Sequence, residues 1–247
     1  MDSLYIIIPA YNEAENIGKV IEEWYPVVKE HNGDGRSRLV IMDDGSTDDT
    51  LDIVKSYVAR YEYLEVITRK NNGHGASIYF GYQYAIEKRV DYIFQTDSDG
   101  QTLASEFEAF WDARHDSDVI IGDRTNRQDG RSRRFVSGCL KLMVERMFSV
   151  KIKDTNTPYR LMSRQALQTA IYFLPKEYSL TNVALTAVFA YMAAGKLGSE
   201  NRIVLSYRPI TFKPRQAGKN SINMCKIVRL GIRAVGELRS IRKKLSE

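Results

Sequence analysis

Short apolar runs alternate with helix-period segments through the first half of the chain. Residues 4–8, 38–42, 64–68, 92–96 and 119–122 each read as strands. Between them, residues 14–30, 48–60, 75–88 and 105–115 carry helical spacing, with Ser46, Thr47 or Asp48 available to cap the second helix. Strands and helices alternating in this way imply an α/β fold built on a doubly wound, mainly parallel sheet. Such sheets bind ligands at the carboxyl ends of their strands. Attention therefore falls on the segments that follow each strand: PAYNE, DDGST, NNGHG, DSDGQ and GDR. Every one is rich in polar or flexible residues.

Past residue 130 the pattern changes. Residues 132–150 read as a basic helix, DTNTPYRLMS (154–163) as a loop or short strand, and 183–194 as an apolar helix. Residues 202–207 and 210–213 suit strands around Pro209, and a last helix is expected over 222–245. No internal repeat or low-complexity linker interrupts the chain. The expectation is one catalytic domain over 1–221, with 222–247 as a basic amphipathic helical tail rather than a second domain.

Composition narrows the class. The 247 residues are 43% hydrophobic and 27% charged, enough to bury a substantial core. No apolar run approaches the ~18 residues of a spanning helix; the longest, 183–194, is interrupted by Thr186 and suits a buried or interfacial helix. The acidic second residue and short apolar run near the start do not make a signal peptide. Cys139 and Cys225 lie far apart with no CxxC, so neither a disulfide framework nor a zinc site is indicated. The default is a reduced, cytoplasmic protein. Charge is uneven. Residues 202–247 hold twelve Lys and Arg against two Glu, a net of +10, leaving about −5 of the +5 total for residues 1–201. A basic tail on an acidic body points to an anionic surface, or to a solvated helix with no partner.

The strand ends carry the chemistry. Asp97 and Asp99 follow a strand, and residues i and i+2 of an extended segment project to one side, so both carboxylates can approach one hard cation. Gln101 is a further oxygen ligand or a support. Asp43 and Asp44 are more acids than the following helix cap needs, at a position where such folds bind a ribose or base. The glycines of NNGHG, Gly75 among them, offer backbone N–H groups to an anion at a helix start. His74 is placed either to contact a phosphate or to sit in a satisfied turn. A dehydrogenase fingerprint would follow the first strand, which leads instead into PAYNE. Arg124, Arg133, Arg134 and Arg160 supply guanidinium forks suited to phosphate. A nucleic-acid-binding protein would explain the basic tail but leave the acidic strand ends unexplained.

Taken in order, IIPAYNE (7–13), DDGS (43–46), NNGHGAS (71–77), FQTDSDGQ (94–101), GDR, DTNTPYRLMS and RPITFKPRQAGKNSIN (208–223) resemble the family 2 glycosyltransferases of the GT-A fold. The likeness covers nearly the whole chain. It is nearest to the branch of dolichyl-phosphate mannosyltransferase and the bacterial polyprenyl-phosphate glycosyltransferases. The resemblance implies a nucleotide-sugar donor, with GDP-mannose and UDP-hexoses equally compatible. It implies Pro9, Tyr11, Glu13 and Asp43 around the base, and Asp44 by the base or ribose. Asp97, Asp99 and Gln101 match the site for Mg²⁺ or Mn²⁺ and the diphosphate. Arg124 matches the arginine of a G-x-R segment; Arg133 and Ser137 match a phosphate-binding pair. Arg215, Lys219 and Ser221 fall in a loop expected to close over the diphosphate, where this chain departs by reading RQAGKNSIN.

Many members of the branch carry a glutamate in the segment aligned with LTNVAL (180–185), which holds no carboxylate here. An inverting transferase needs a general base for a hydroxyl acceptor. A phosphate monoester, with a second pKa of about 6, needs none. The expectation is metal-assisted, inverting transfer of a hexose to a polyprenyl phosphate, without nucleic acid. The protein would sit peripherally on the inner face of a membrane through its tail, where Val228, Ile232, Val235, Leu238, Ile241 and Leu245 form an apolar stripe. The alternatives are that this stripe packs on the body or a partner, and that the acceptor is a sugar hydroxyl with Asp154 as base.

Overall fold

The structure is a computed structural model that describes residues 2–124, 131–176, 178, 180–214 and 224–247, excluding the side chains of 131–136 and 224–233. Seven strands form one sheet: β1 (Leu4–Ala10), β2 (Arg38–Asp43), β3 (Leu64–Thr68), β4 (Tyr92–Gln95), β5 (Val119–Arg124), β6 (Arg160–Ser163) and β7 (Leu205–Ile210). Their order is β3-β2-β1-β4-β6-β5-β7, all parallel except β6, which runs antiparallel to both neighbours. The helices are α1 (Ile17–Glu30), α2 (Thr50–Val58), α3 (His74–Glu87), α4 (Glu108–Trp111), α5 (Arg131–Phe148), α6 (Arg164–Ile171), α7 (Thr181–Ala193) and α8 (Met224–Lys244).

The central strand β1, LYIIIPA, is buried at all seven positions. That is why it reads as a continuous apolar run: a parallel strand covered on both faces has no solvent side. Alternation still sorts its side chains. Tyr5 and Ile7 join Val40, Met42 and Ile93 in the core beneath α3, α5, α6, α7 and α8. Leu4, Ile6 and Ile8 join Leu39, Ile41 and Phe94 against α1 and α2, with Trp24, Phe107 and Tyr159 packed around Phe94. Gly81 lets α3 lie close on the sheet; any Cβ there would run into Ile7.

Two sequence expectations change, a third is narrowed to its short-strand alternative, and one helix is added. The helix expected over 105–115 is a 3-10 turn (Ala104–Glu106) followed by the four-residue α4, held by the aromatic cluster rather than by length. DTNTPYRLMS supplies β6, the strand inserted antiparallel at the sheet centre. The two strands expected around Pro209 are one edge strand, where a missing N–H is tolerated. The helix α6 was not anticipated; Ser163 caps it by accepting from Ala166 N–H.

The last helix resolves part of the question about the tail. Ala234, Leu238, Ile241 and Leu245 are buried, and the last three belong to the core under α7. Arg242 stacks over Tyr191 of α7 at 5.0 Å. This half of the stripe packs on the body, leaving Arg239 and Lys243 on the outer side. Among the described residues no helix is long and apolar enough to cross a membrane.

Candidate active site

Parallel pairing brings the carboxyl ends of β1, β2, β3 and β4 to one edge. The ladder continues one step past the strands: Asp44 N–H donates to Ala10 C=O at 2.9 Å, and Arg69 N–H to Asp43 C=O at 3.0 Å. Gly45 takes φ +71°, and a Cβ there would lie 2.8 Å from the Arg69 carbonyl oxygen. Only glycine fits this turn without strain.

Both acids of DDGS are buried, with different partners. Asp43 Oδ1 accepts from Ser46 N–H at 3.1 Å, while its Oδ2 is buried without a hydrogen-bond partner. Asp44 accepts from Asn72 N–H (3.0 Å) and Gly73 N–H (2.8 Å), so it tethers the NNGHG loop to the end of β2. The N-cap of α2 is Asp49, not Ser46, Thr47 or Asp48, and it makes no side-chain cap bond; Asp48, one residue earlier, accepts from Thr50 N–H at 3.0 Å. Glu13 accepts from the Asn16 side-chain amide at 2.8 Å.

A cleft of about 490 Å³ opens over this edge. Of the residues singled out from the sequence, Pro9, Tyr11, Glu13, Asp44, His74, Asp97 and Asp99 line it. Sequence reasoning did not assign Asn71, Ser77 or Ser98, which also line it. Asn71 lies inside the quoted NNGHG motif, and Ser77 follows from α3 starting at that loop. Gly75 is buried at the start of α3, where its carbonyl accepts from Thr181 Oγ1 at 2.9 Å.

Asp97 Oδ1 is buried without a hydrogen-bond partner, and the imidazole Nε2 of His74 lies 3.7 Å from it. A buried carboxylate oxygen with no donor is a costly arrangement unless a cation meets it, so the DxD pair fits a divalent ion. Gln101 is arranged differently from its expected role as metal ligand. Its Nε2–H donates to Lys213 C=O at 2.7 Å, and its own carbonyl accepts from Lys213 N–H at 2.8 Å. It fastens the segment after β7 to the DSDG loop, leaving the two aspartates as the better ligands. Among the described residues, the acid–imidazole group with ligand atoms within 4.8 Å of one another is Glu30, His31 and Glu108, which lines neither cleft.

The second cleft, about 230 Å³, is lined by Arg124, Ser137, Lys141, Lys153 and Asp154, with Asp123 beside them. Here two expectations are corrected. Arg124 and Asp154 are not a free phosphate ligand and a free base. They form a two-pronged pair, Nε to Oδ2 at 2.6 Å and Nη2 to Oδ1 at 2.8 Å, with each side chain only 7% exposed. The Phe212 ring lies 5.0 Å from the guanidinium. Among the described residues, the cations lining this cleft besides Arg124 are Lys141 and Lys153, neither singled out from the sequence, although Lys153 directly precedes the DTNTPYRLMS motif.

Arg160 is a third correction. It is fully buried and donates to the backbone carbonyls of Thr157 and Asn182, so it cannot reach a substrate phosphate as expected. Arg133, Arg134, Arg215, Lys219 and Ser221 lie outside the described side chains.

Comparison with known proteins accords with this arrangement. Residues 5–170 match the family described as glycosyl transferase family 2. An undecaprenyl-phosphate 4-deoxy-4-formamido-L-arabinose transferase of Pseudomonas syringae is 30% identical over 162 residues, 64% of this chain and 47% of the relative. A dolichyl-phosphate beta-glucosyltransferase of Trichomonas vaginalis is 27% identical over 176 residues, 65% of this chain and 53% of the relative. The chain thus spans about half the length of these curated relatives. Among solved structures, glucosyl-3-phosphoglycerate synthase of Mycobacterium tuberculosis, crystallised with Mn²⁺, uridine diphosphate and phosphoglyceric acid, superposes with a TM-score of 0.69. That match covers 98% of this chain and 78% of the other at 13% identity, a likeness of fold.

Proposed function

The chain belongs to glycosyl transferase family 2, and on that premise we propose that it moves a hexose from a GDP- or UDP-linked sugar to a polyprenyl phosphate, inverting the anomeric carbon. The observation that carries the reading is the Asp97 carboxylate oxygen, buried without a hydrogen-bond partner in a cleft also lined by Asp44 and Asp99, together with a second, lysine-lined cleft. The first cleft suits a nucleotide diphosphate and the second an anionic acceptor. Relatives named for undecaprenyl- and dolichyl-phosphate substrates support the same acceptor class.

Each group then has a task. Glu13, Tyr11 and Pro9 line the end of the first cleft assigned to the nucleotide. Asp44 holds the 71–73 loop in place through two backbone N–H groups. Asp97 and Asp99 would hold Mg²⁺ or Mn²⁺, which when bound supplies Lewis-acid stabilisation to the leaving diphosphate. Lys141 and Lys153 supply positive potential where a second anion must approach the first. A phosphate acceptor is already ionised near neutral pH, its second pKa being about 6, and attacks without a base. That suits a cleft whose Asp154 is committed to Arg124. A hydroxyl acceptor would need that carboxylate released.

The basic C-terminal segment supports peripheral attachment to the cytoplasmic face of a membrane containing the acceptor, each basic residue adding about 1 kcal/mol near anionic lipid. Flotation with anionic vesicles at low and high salt tests this, and failure to float at low salt removes the attachment.

The reaction is tested by incubating the protein with labelled GDP- and UDP-sugars, a polyprenyl phosphate and Mg²⁺ or Mn²⁺, then counting label in the organic phase. Metal-dependent transfer from one donor is expected. Intact nucleotide binding with no lipid product, but with transfer to a sugar hydroxyl, would replace this acceptor by the alternative.

A further inference from the structure

Arg160 opens β6 at the centre of the sheet, paired in register with Gln95 of β4 and Ile121 of β5. Its two terminal nitrogens reach different elements. Nη2 donates to Thr157 C=O at 2.5 Å, closing the turn that carries Asp154 and Thr155 into the second cleft. Nη1 donates to Asn182 C=O at 3.3 Å, fastening that turn to the start of α7. One residue earlier, the Thr181 hydroxyl lies 2.9 Å from two carbonyl oxygens and shares its one O–H between them: that of Tyr178, and that of Gly75 at the start of α3, where Gly73 and His74 line the first cleft. A continuous line of contacts thus runs from one cleft to the other through Arg160 and the first turn of α7.

Packing alone does not account for an arginine here. Burial pushes its pKa down, opposed by Tyr82, Asp154, Tyr207 and Asp97. Withdrawing a guanidinium from water costs several kcal/mol, and a well-packed apolar residue often serves stability as well. What an apolar side chain lacks is a rigid fork able to join two carbonyls on separate elements.

We propose that Arg160 is a positioning residue: with Thr181 it forms a brace that fixes the acceptor cleft relative to the donor cleft. The inference rests on the two-cleft reading above for its consequence in catalysis, but its mechanical part does not.

The test compares the full chain with Arg160→Lys, Thr181→Val and the double variant, by hydrogen exchange and by turnover. The Thr181 hydroxyl bonds to Gly75 and Tyr178 rather than to the 154–158 turn, yet Thr181→Val should raise exchange there, and Arg160→Lys should raise it at 73–78. Exchange that rises only beside each substituted residue overturns the brace. In turnover, kcat should fall by roughly ten- to a hundred-fold, the cost of about 1 Å of misplacement, with nucleotide Kd changed by no more than about two-fold. The double variant should be no worse than the poorer single one, because both cut the same line. A residue that merely supports the fold would instead lower Tm and nucleotide binding in step, with effects that multiply. Should Arg160→Lys not fold, Thr181→Val alone decides through exchange at 154–158. A wild-type protein that transfers nothing would remove the proposed reaction while the exchange comparison still judges the brace.

Discussion

The Arg124–Asp154 pair offers the sharpest discrimination between two readings of one carboxylate. Asp154→Ala leaves the Arg124 guanidinium, 7% exposed, without its two carboxylate contacts. It also removes the acceptor of Asn156 N–H at 3.1 Å. Breaking a buried ion pair from one side costs about 3–5 kcal/mol, because the remaining charge stays buried. With a urea slope of about 3 kcal/mol/M for a chain of this size, the unfolding midpoint should fall by about 1–1.7 M. The corresponding drop in Tm is roughly 6–20 °C. Arg124→Met should cost a comparable amount, and the double variant little more than either single, since no orphaned charge then remains. The assay is urea unfolding of all four proteins followed by circular dichroism. A midpoint for Asp154→Ala within about 0.3 M of wild type, together with lost turnover, would refute the clamp and restore Asp154 as a base.

Asp97→Asn and Asp99→Asn should each abolish metal-dependent transfer and weaken Mn²⁺ binding measured by titration with electron paramagnetic resonance; full metal-dependent activity in Asp99→Asn would remove it from the metal site. Asp44→Ala leaves two backbone N–H groups without their carboxylate, at about 1.5–3 kcal/mol for each such bond, so nucleotide Kd should rise at least roughly ten-fold by calorimetry. Burial pushes the Tyr159, Tyr82 and Tyr178 hydroxyls well above the usual 10, and Tyr207 to about 12. The unfolded chain therefore ionises these tyrosines first. Stability should be unaffected below pH 10 and fall as pH rises from 10 towards 12. In an absorbance titration, their ionisation should coincide with loss of secondary structure.

What could be read along the chain was whatever depends on neighbours in sequence. The strands 4–10 and 38–43 announce themselves because burial on both faces demands nearly unbroken apolar runs, whereas the half-exposed edge strand 64–68 is legible by its short length and alternation. The motifs after them are legible because a parallel sheet must end its strands at one edge. DxD, DDGS and PAYNE converge there for that reason, and seven of the residues singled out line one cleft. Pairing between distant residues was decided only by tertiary structure. Nothing local to Arg124 or Asp154 reveals that they neutralise each other across 30 positions, or that Arg160 is buried on β6, an inner strand that runs against its neighbours. The tail illustrates the same limit. A stripe at helical spacing specifies an apolar face but not what covers it; contact with α7 and its neighbours decides that for Leu238, Ile241 and Leu245. Periodicity is a property of one element, whereas charge compensation and burial belong to pairs of surfaces that only folding brings together.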